Sequence, residues 1–417
     1  MKILWVKAGR LLPVDTGGKI RSYNILRHLA ARHELTLLSS YSGGRDESYE
    51  AQLQREFPGA VPVHIAAPEA GRLSQGLDYL RRVLWPAPYA VAKYAAPEVK
   101  HRIAVLLGSQ KFDVAVCDFL APSLNFPRRM TTPTVLFQHN VESVLWLRQS
   151  QHQAGLIRRL VFKLEAAKME RYECAAVSRF HHVIAVSEED RAQMLRMTAP
   201  ERISVVPTGV DLRQFQTAGT EATAPLVLFL GSMDWEANAD GVEYFCRAIW
   251  PRVKSAVPEA RFRIVGRNPQ PRIRQLAGEA IEVTGTVPSV IEHLREAAVF
   301  VVPLRIGGGT RLKIYEAMAA GRAVVSTSIG AEGLEVQHGR DILLADDESG
   351  FAEAVIRLLR SPDLRRQLGQ AAAAQAAQFD WSVIAAKFEQ ALTQAISNSL
   401  ADAATGAQAE WSAPQQL

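Results

Sequence analysis

Short, mostly apolar runs of four to six residues alternate with amphipathic stretches along most of the chain. The runs lie at residues 3–7, 34–39, 61–66, 113–118, 134–138, 183–187 and 203–206, and then at 226–230, 262–265, 281–284, 299–303, 323–326 and 341–344. Helical periodicity covers stretches such as 20–32, 156–176, 241–257 and 310–320. Strand-like runs that alternate with helices predict parallel strands joined by crossover helices. The pattern therefore predicts an α/β protein with two doubly wound, Rossmann-like parallel sheets in series.

A break in this pattern divides the chain near residues 207–211, where a strand-like run ends in turn residues. The small polar stretch 216–224 follows, and its composition is typical of a linker. A length of 417 residues also fits two domains of about 200 residues better than one. We therefore predict one domain at residues 1–210 and a second at 211–380.

The last part of the chain carries one more amphipathic helix, predicted at residues 381–397. Its apolar stripe consists of Trp381, Ile384, Phe388 and Leu392. A single apolar stripe of this kind indicates a helix that buries one face against other elements. The remaining residues, 401–417, are rich in Ala, Gln, Ser and Gly and are predicted to be disordered.

Composition narrows the class of protein. The formal net charge is +5, but the basic residues are not interleaved with aromatic residues in a compact patch, so no nucleic-acid partner is predicted. The three cysteines, Cys117, Cys174 and Cys246, form no CxxC pair, which favours a reducing compartment over a disulfide framework. The first residues lack the apolar stretch of a secretory signal, and no segment is apolar for long enough to span a bilayer. These observations predict a mildly basic, cytoplasmic enzyme.

The strongest chemical signal follows one of the apolar runs of the second half. Three glycines at 307–309 turn the chain, and a helix is predicted to begin near Thr310. Backbone N–H groups at a helix start attract phosphate, and glycines let a charged ligand approach the backbone closely. Arg311 and Lys313 add positive charge where the helix dipole favours anions, and an anionic ligand is one explanation for them. The alternative is an ordinary glycine-rich turn followed by a Lys313–Glu316 surface pair.

Residues 307–321 resemble the donor-site signature of the retaining glycosyltransferases of family 4 (group 1), which have the GT-B fold. Other segments agree with this resemblance in order and spacing. Residues 206–211 resemble the interdomain segment of the family, with Thr208 in place of the usual Asn, and residues 138–140 resemble its active-site histidine segment. Residues 230–238 resemble the loop after the first strand of the nucleotide domain. Residues 265–267 and 284–287 resemble the loops beside the nucleotide base. The similarity runs from Met1 to Leu392 and is more specific in the second half.

The resemblance implies two Rossmann-like domains that face a cleft, with the last helix returning to the first domain. The residues that it places beside the phosphates, sugar and base of the donor are Gly17, Gly18, Gly231, Gly266, Arg267, Val287, Gly308, Gly309 and Thr310. The residues that it implies for catalysis are Arg311 and Lys313 on the diphosphate, Glu316 on the ribose and His139 on the donor sugar. His139 also follows a predicted strand directly, where parallel sheets bind ligands. A structural histidine and plain glycine turns are the alternatives.

Two departures from the family pattern are visible. The family commonly carries two glutamates eight positions apart; Glu316 matches the second, and Gly308 stands where the first would be. We interpret this difference as the trait of a subgroup. The loop between Gly231 and Asp240 also lacks the Arg and Lys that family members often place there. Arg311 and Lys313 would then have to supply the positive charge beside the diphosphate.

The resemblance implies a retaining glycosyltransferase that moves a sugar from a nucleoside-diphosphate sugar to a glycan or lipid-linked acceptor, in the synthesis of a cell-surface polysaccharide or glycoconjugate. Neither a cofactor nor a metal is expected, and Asp346 and Asp347 are expected to be a solvated helix cap. Two alternatives stay open. One is a nucleotide-sugar epimerase, for which no suitable set of carboxylates is evident. The other is a non-catalytic nucleotide-sugar-binding component of a polysaccharide assembly complex, which the glycine at 308 would favour.

Two helix-like stretches of the first domain, at residues 77–85 and 156–163, mix Arg and Lys with Leu, Val and Trp. Basic residues near a surface attract anionic lipid headgroups. The sequence therefore predicts peripheral association with the inner face of the membrane, and ordinary solvated helices are the alternative.

Overall fold

The computed structural model describes residues 1–66, 78–79, 82, 85–127, 129–151, 155–215, 224–306 and 311–405. The chain divides into two compact units. The first comprises Met1–Pro207 together with Ile384–Leu417, and the second comprises Thr208–Val383. The division lies within the turn segment 207–211 that interrupts the sequence pattern.

The first unit contains a seven-stranded parallel sheet with the strand order β3-β2-β1-β4-β5-β6-β7. Its strands are β1 (Lys2–Ala8), β2 (Glu34–Ser42), β3 (Ala60–Ile65), β4 (Val114–Asp118), β5 (Thr134–Phe137), β6 (His182–Ala185) and β7 (Ile203–Val205). The helices described between them are α1 (Gly17–Ala30), α2 (Glu47–Glu56), α3 (Tyr89–Ala92), α4 (Pro97–Ser109), α5 (Glu142–Gln151), α6 (Leu156–Arg179) and α7 (Glu188–Met194), with 3₁₀ turns at Ala121–Asn125 and Pro200–Arg202. The direction in which strands are added reverses between β1 and β4, and such a switch point is where open α/β sheets bind ligands.

The second unit contains a six-stranded parallel sheet with the order β10-β9-β8-β11-β12-β13. Its strands are β8 (Leu226–Leu230), β9 (Arg261–Val265), β10 (Ile281–Gly285), β11 (Val299–Val302), β12 (Ala323–Ser326) and β13 (Leu343–Leu344). The helices from here to the end are α8 (Leu212–Phe215), α9 (Glu236–Tyr244), α10 (Trp250–Ala256), α11 (Pro271–Arg274), α12 (Val290–Glu296), α13 (Leu312–Ala319), α14 (Glu348–Arg360), α15 (Pro362–Ala376) and α16 (Trp381–Thr405), with a π turn at Phe245–Ile249 and a 3₁₀ turn at Ala377–Phe379. The switch point of this sheet lies between β8 and β11.

The predicted fold class of two Rossmann-like parallel sheets is confirmed, and each of the thirteen predicted strands is present. Every residue of β4, β5, β8, β11 and β12 is buried. Helices cover both faces of a parallel sheet, so its inner strands are apolar along most of their length. This double burial explains why the strands stand out in the sequence as short continuous apolar runs.

Helix α16 supplies part of the core of the first unit. The ring of Phe388 lies 5.3 Å from that of Trp5 and 5.0 Å from that of Phe137, between centroids. Ile384 and Leu392 are fully buried. The apolar stripe of α16 is therefore the face that packs.

Two predicted elements need correction at their ends. Helix α16 ends at Thr405, so the disorder predicted from residue 401 is wrong for 401–405. Alanine is the best helix former, and Asp402 forms an ion pair with Arg202 at 2.5 Å. The rest of the predicted tail, 406–417, lies outside the described residues.

The helix predicted at 241–257 starts at Glu236 and is interrupted by the π turn. Pro251 has no N–H to donate, and its ring clashes with the carbonyl of the residue four positions earlier. The backbone therefore widens just before Pro251.

Candidate active site

Side chains of chemical interest in the first unit lie where β1, β4 and β5 end. Lys7 is near the end of β1, Asp118 ends β4, and His139 follows β5 by two residues. Gly17 and Gly18 begin helix α1. The carboxyl ends of neighbouring parallel strands share one edge of a sheet, here beside the switch point between β1 and β4. The fold therefore gathers these residues at the edge where ligands bind.

The imidazole of His139 is almost completely buried, with 3% of the residue exposed, and it stacks on Phe119 with 3.6 Å between ring centroids. Its Nε2 lies 2.8 Å from Oδ1 of Asp118. An ionised carboxylate only accepts hydrogen bonds, so Nε2 carries the proton and Nδ1 is left as an acceptor. Nδ1 is buried and has no hydrogen-bond partner within the part of the chain that the structure describes. It lies 3.7 Å from the position of a Cβ built on Gly18, so Gly18 borders the acceptor.

Asp118 is the centre of this cluster. Its Oδ2 accepts hydrogen bonds from Nζ of Lys7 (2.9 Å), Oγ of Ser22 (2.7 Å) and Nε1 of Trp5 (3.1 Å). Burial acts to raise the pKa of Asp118, but Lys7 and the hydrogen bonds from His139 and Ser22 outweigh burial and hold that pKa well below its usual range. Burial lowers the pKa of His139 to about 3, although Asp118 acts in the opposite direction. The imidazole is therefore neutral at pH 7, and its Nδ1 can accept a hydrogen bond from a hydroxyl.

A strained residue fixes the position of the histidine ring. Phe119 has a φ of +74°, which is unfavourable for a bulky side chain. A Cβ built on Gly18 would lie 2.6 Å from Cζ of Phe119. Any side chain at position 18 would therefore push the phenyl ring away from His139. The glycine is required by the close approach of this ring, in addition to any part it has in the turn before α1.

The candidate residues of the second unit gather where β8 and β9 end and α13 begins. Lys313 donates a hydrogen bond from Nζ to Oδ1 of Asn238 (2.8 Å) and lies over the ring of Phe229. A Cβ built on Gly231 would lie 2.7 Å from the same Nζ, so only glycine allows the ammonium this close to the backbone. A Cβ built on Gly266 would lie 1.7 Å from the carbonyl oxygen of Gly231. The structure thus brings Lys313, Gly231 and Gly266 together.

Two cationic side chains stand together at the start of α13. The helix begins at Leu312, two residues later than predicted, and Arg311 is its N-cap residue. The Arg311 guanidinium lies 4.9 Å from the ring centroid of Trp235. Burial, and secondly the charge of Arg311, lowers the pKa of Lys313 to about 7. Burial raises the pKa of Glu316 to about 7, against the effect of Lys313. Arg311 is buried and Lys313 is half-buried. Because two like charges that are shielded from water repel each other, an anion bound beside them would stabilise both.

The other predicted donor residues of this unit lie on neighbouring loops. Arg267 donates from Nε to Oγ of Ser232 (2.7 Å), and Val287 is half-buried after β10. A cavity of about 540 Å³ is lined by Asn268, Pro269, Arg274, Ala277, Val283, Thr284, Gly285 and Thr286. Arg267 and Val287 are the chain neighbours of residues that line this cavity. Residues 308–310, which belong to the predicted donor loop, lie outside the described residues.

Sequence reasoning missed the residues that hold the candidates in place. Lys7 and Asp118 are charged residues at the ends of otherwise apolar strands, and that position was an available signal, because buried charges are rarely found without partners. Asn238 lies in α9 and holds Lys313, but neither periodicity nor spacing in the sequence indicates this contact. The pairing becomes visible only once the fold has brought α9 and α13 together.

Asp347 caps helix α14, because its side chain accepts hydrogen bonds from the N–H groups of Ser349 and Gly350. The predicted helix cap is therefore confirmed for Asp347, whereas Asp346 accepts hydrogen bonds from Ser328. Among the described residues, no three His, Cys, Asp or Glu side chains are grouped so that they could hold a metal ion. The helices of the described part of the chain include none that is long and apolar enough to cross a membrane.

Two family models match the chain, one on each unit. The model described as Glycosyltransferase Family 4 matches residues 16–214, and the model described as Glycosyl transferases group 1 matches residues 224–361. Together they cover most of the chain.

Two relatives illustrate the range of similarity. The chain is 29% identical over 215 residues to the phosphatidyl-myo-inositol mannosyltransferase of Mycolicibacterium smegmatis, and this match covers 49% of the chain and 55% of the mannosyltransferase. The chain therefore spans about half the length of that relative. It is also 22% identical over 374 residues to an uncharacterized 44.6 kDa protein in the cps region of Klebsiella pneumoniae, with 85% of the chain and 90% of that protein covered.

Solved structures agree with the fold over nearly the whole chain. The sucrose-phosphate synthase of Thermosynechococcus elongatus has a TM-score of 0.69 at 17% identity, with 95% of this chain and 100% of that chain covered. HepE of Anabaena in complex with UDP has a TM-score of 0.64 at 16% identity, with 94% and 100% covered. At sequence identities this low, the structural similarity is evidence for the fold alone. With its two matched family models and its two parallel-sheet domains, the chain belongs to the family 4 (group 1) glycosyltransferases of the GT-B fold.

Proposed function

We propose that this chain is a nucleotide-sugar-dependent glycosyltransferase that transfers a sugar, with retention at the anomeric carbon, to a glycan or lipid-linked acceptor. The observation that carries the proposal is the pair of cationic side chains at the start of α13, Arg311 and Lys313. The hydrogen bond of the Lys313 ammonium goes to the neutral amide of Asn238, and the pKa of Lys313 is lowered to about 7. A diphosphate bound here would bring the negative charge that stabilises both cations.

The same cations suit the chemistry of transfer. Negative charge builds up on the diphosphate as its bond to the sugar breaks, and fixed cations beside it stabilise the transition state more than the ground state. Arg311 and Lys313 would do this without a metal ion. We propose a front-face substitution, in which the acceptor attacks from the face that the diphosphate leaves, and this route needs no protein nucleophile.

Further contacts to the donor are proposed for both units. Glu316, one turn after Lys313, would accept hydrogen bonds from the ribose hydroxyls. His139 would accept one from a hydroxyl of the donor sugar at Nδ1, which is buried and bordered by Gly18. A nucleotide-sugar donor is supported by HepE, a structure of this fold that is described in complex with UDP.

We propose that the acceptor is reached at the inner face of a membrane in the cytoplasm. The mycobacterial relative is named for phosphatidyl-myo-inositol, which is a lipid. Helices α5 and α6 expose Leu147 by 51%, Leu160 by 70% and Leu164 by 46%. The basic residues exposed beside them on α6 are Arg158, Arg159 and Lys163. Each basic residue near an anionic surface would contribute about 1 kcal/mol to binding. Most of the other predicted stretch, 77–85, lies outside the described residues.

Flotation with vesicles of phosphatidylserine and phosphatidylcholine tests this surface. The wild type is expected to float at low salt and to be released by high salt, because screening weakens surface electrostatics. Replacement of Leu160 and Leu164 by serine should weaken binding without changing the unfolding temperature. A wild type that stays unbound at low salt contradicts the membrane contact and leaves the transferase proposal standing.

A thermal-shift panel of UDP, GDP and ADP tests the donor site. A nucleoside diphosphate at about 100 times its dissociation constant should stabilise the chain by ~2.7 kcal/mol. The shift should disappear in Lys313→Ala and persist in Arg252→Ala, a matched loss of an exposed cation on α10. If none of these nucleotides shifts the wild type, the donor site is wrongly assigned.

A further inference from the structure

Glu173 lies in the second half of α6, and it is fully buried. Both oxygens of its carboxylate accept hydrogen bonds from the segment that follows β5. Oε1 accepts from the N–H of Glu142 (2.8 Å) and from the side-chain amide of Gln138 (3.0 Å). Oε2 accepts from the N–H of Ser143 (3.0 Å) and from its hydroxyl. His139 lies within this segment, so one carboxylate fastens the chain on both sides of the candidate histidine.

Part of this arrangement is a helix cap that comes from another helix. The first N–H groups of a helix have no partner within it, and Val141, the residue before α5, has no side-chain acceptor for them. Burial raises the pKa of Glu173, against the hydrogen bonds from Ser143, Glu142 and Gln138. A local Ser, Thr, Asp or Asn would cap the helix without a buried carboxylate. The contact with Gln138, outside the helix, goes beyond what a cap requires.

His139 is held at its ring by other residues. Its Nε2 donates to Asp118 (2.8 Å), which ends β4, and the ring stacks on Phe119. The imidazole is therefore fixed from the sheet, whereas the backbone around it is fixed from α6 by Glu173. The direction of Nδ1 depends on both anchors. A misplacement of about 1 Å at a reacting group can lower a rate by about 10²-fold.

We propose that Glu173 is a positioning residue that acts through His139, because it holds residues 138–143 in the conformation that directs Nδ1 of His139 towards the donor sugar. The inference rests on the proposed contact between His139 and that sugar. An ionised carboxylate has about four lone-pair sites, and the segment uses two at each oxygen of Glu173. Glu173 therefore has no acceptor site left for a substrate.

The variant Glu173→Gln tests the proposal, because it keeps the size of the side chain and sets an NH₂ donor against the N–H donors at the start of α5. Glu165→Gln is the matched control. Glu165 also lies on α6, is 2% exposed, and accepts a hydrogen bond from the N–H of Tyr89 (2.7 Å), the first residue of α3. Both variants thus make the same change at a buried carboxylate that caps another helix. Of the two carboxylates, Glu173 is the one that contacts the His139 segment.

The first measurement is the exchange of the His139 Nε2 proton with water, followed by NMR of protein labelled with nitrogen-15 histidine. The spectrum of His139→Gln identifies the signal among the ten histidines. A buried proton exchanges when its surroundings open locally, so the rate reports how firmly the ring is held. Glu173→Gln should speed the exchange at least tenfold, and Glu165→Gln should leave it within twofold of the wild type. An unchanged rate in Glu173→Gln overturns the proposal.

The second measurement is a double-mutant cycle on kcat for release of nucleoside diphosphate from UDP- and GDP-sugars. Glu173→Gln should lower kcat by about tenfold or more and leave the affinity for the free nucleoside diphosphate unchanged. In the His139→Gln background the same substitution should change kcat by less than threefold, because it acts through the histidine. An equal loss of kcat in both backgrounds would indicate a general structural role and overturn the proposal.

Two further outcomes have their own readout. If the wild type releases no nucleoside diphosphate from any donor, the transferase proposal itself fails, and the exchange rate alone decides whether Glu173 fixes His139. If Glu173→Gln does not fold, Gln138→Met takes its place, because it removes one of the hydrogen bonds to Glu173 and leaves the cap of α5 intact. The exchange should then be at least threefold faster than in the wild type, and an unchanged rate overturns the proposal.

Discussion

Replacement of Lys313 by alanine removes one of the two cations on which the proposed donor site depends. At about 4 Å and an effective dielectric constant of about 20, two unit charges interact by about 4 kcal/mol. Only the part of the charge that appears on the diphosphate during bond breaking changes the rate. Loss of one such partner typically costs about 2.7–4 kcal/mol of transition-state stabilisation. We therefore expect kcat for donor turnover to fall by roughly 10²-fold to 10³-fold in Lys313→Ala.

A second variant on the same helix separates ground-state binding from catalysis. Ribose contacts change little during the reaction, so Glu316→Ala should mostly raise the donor KM. A donor with a 2′-deoxyribose should recover much of the difference between this variant and the wild type. The assay is release of nucleoside diphosphate over a range of donor concentrations, with Arg252→Ala as the control for loss of a surface cation.

Proton uptake gives a readout that is independent of turnover. The pKa of Lys313 is about 7 without ligand, and a bound diphosphate should raise it. At pH 8 the wild type should therefore take up a proton when UDP or GDP binds, as measured by calorimetry in two buffers of different ionisation enthalpy. Normal turnover by both Lys313→Ala and Glu316→Ala, together with no proton uptake, would mean that α13 is not the donor site.

Three further predictions follow from the first unit. In Gly18→Ala the new Cβ would lie 2.6 Å from Cζ of Phe119, so kcat should fall at least tenfold with the far-UV circular dichroism unchanged; a fully active variant contradicts the role of that contact. His139 has a pKa of about 3 when folded and 6.5 in the unfolded reference, so the unfolded chain binds more protons between these values and the free energy of unfolding falls as the pH drops through that window. His139→Gln should flatten the pH dependence of the free energy of unfolding, measured with urea, in this window. An unchanged slope would disprove the assignment. Truncation after Phe379 removes all of α16 and should leave an unstable, inactive protein, whereas truncation after Thr405 should leave stability and activity unchanged; equal melting temperatures would show that α16 is dispensable.

Periodicity was enough to find the sheets because the strands are buried on both faces. The runs at 226–230 and 323–326 coincide with β8 and β12 to the residue. The end of α16 is harder to predict from the sequence. A polar, alanine-rich stretch has the composition of a disordered terminus and also a high helix propensity. The ion pair between Asp402 of α16 and Arg202 joins residues that are 200 positions apart, and local sequence cannot reveal such a contact.

Some residues of the candidate site are indicated by local sequence, and others are brought together only by the fold. The glycine turn and the cations of α13 are local in sequence, and the resemblance identified them. The cluster around Asp118 depends on sheet order, because β4 lies between β1 and β5 and sets Lys7 opposite Asp118 in the ladder. The positive φ of Phe119 and the approach of its ring to Gly18 depend on packing that no motif encodes.

Donor turnover tests the central claim most directly. The purified chain would be incubated with UDP- and GDP-sugars, with and without a membrane lipid extract as the source of acceptor, and the released nucleoside diphosphate and the sugar product would be measured. We predict release from at least one donor, stimulated by the extract and lost in Lys313→Ala. Donors that bind without release would identify a nucleotide-sugar-binding component, and conversion of a donor into its epimer would identify an epimerase; either result would contradict the account.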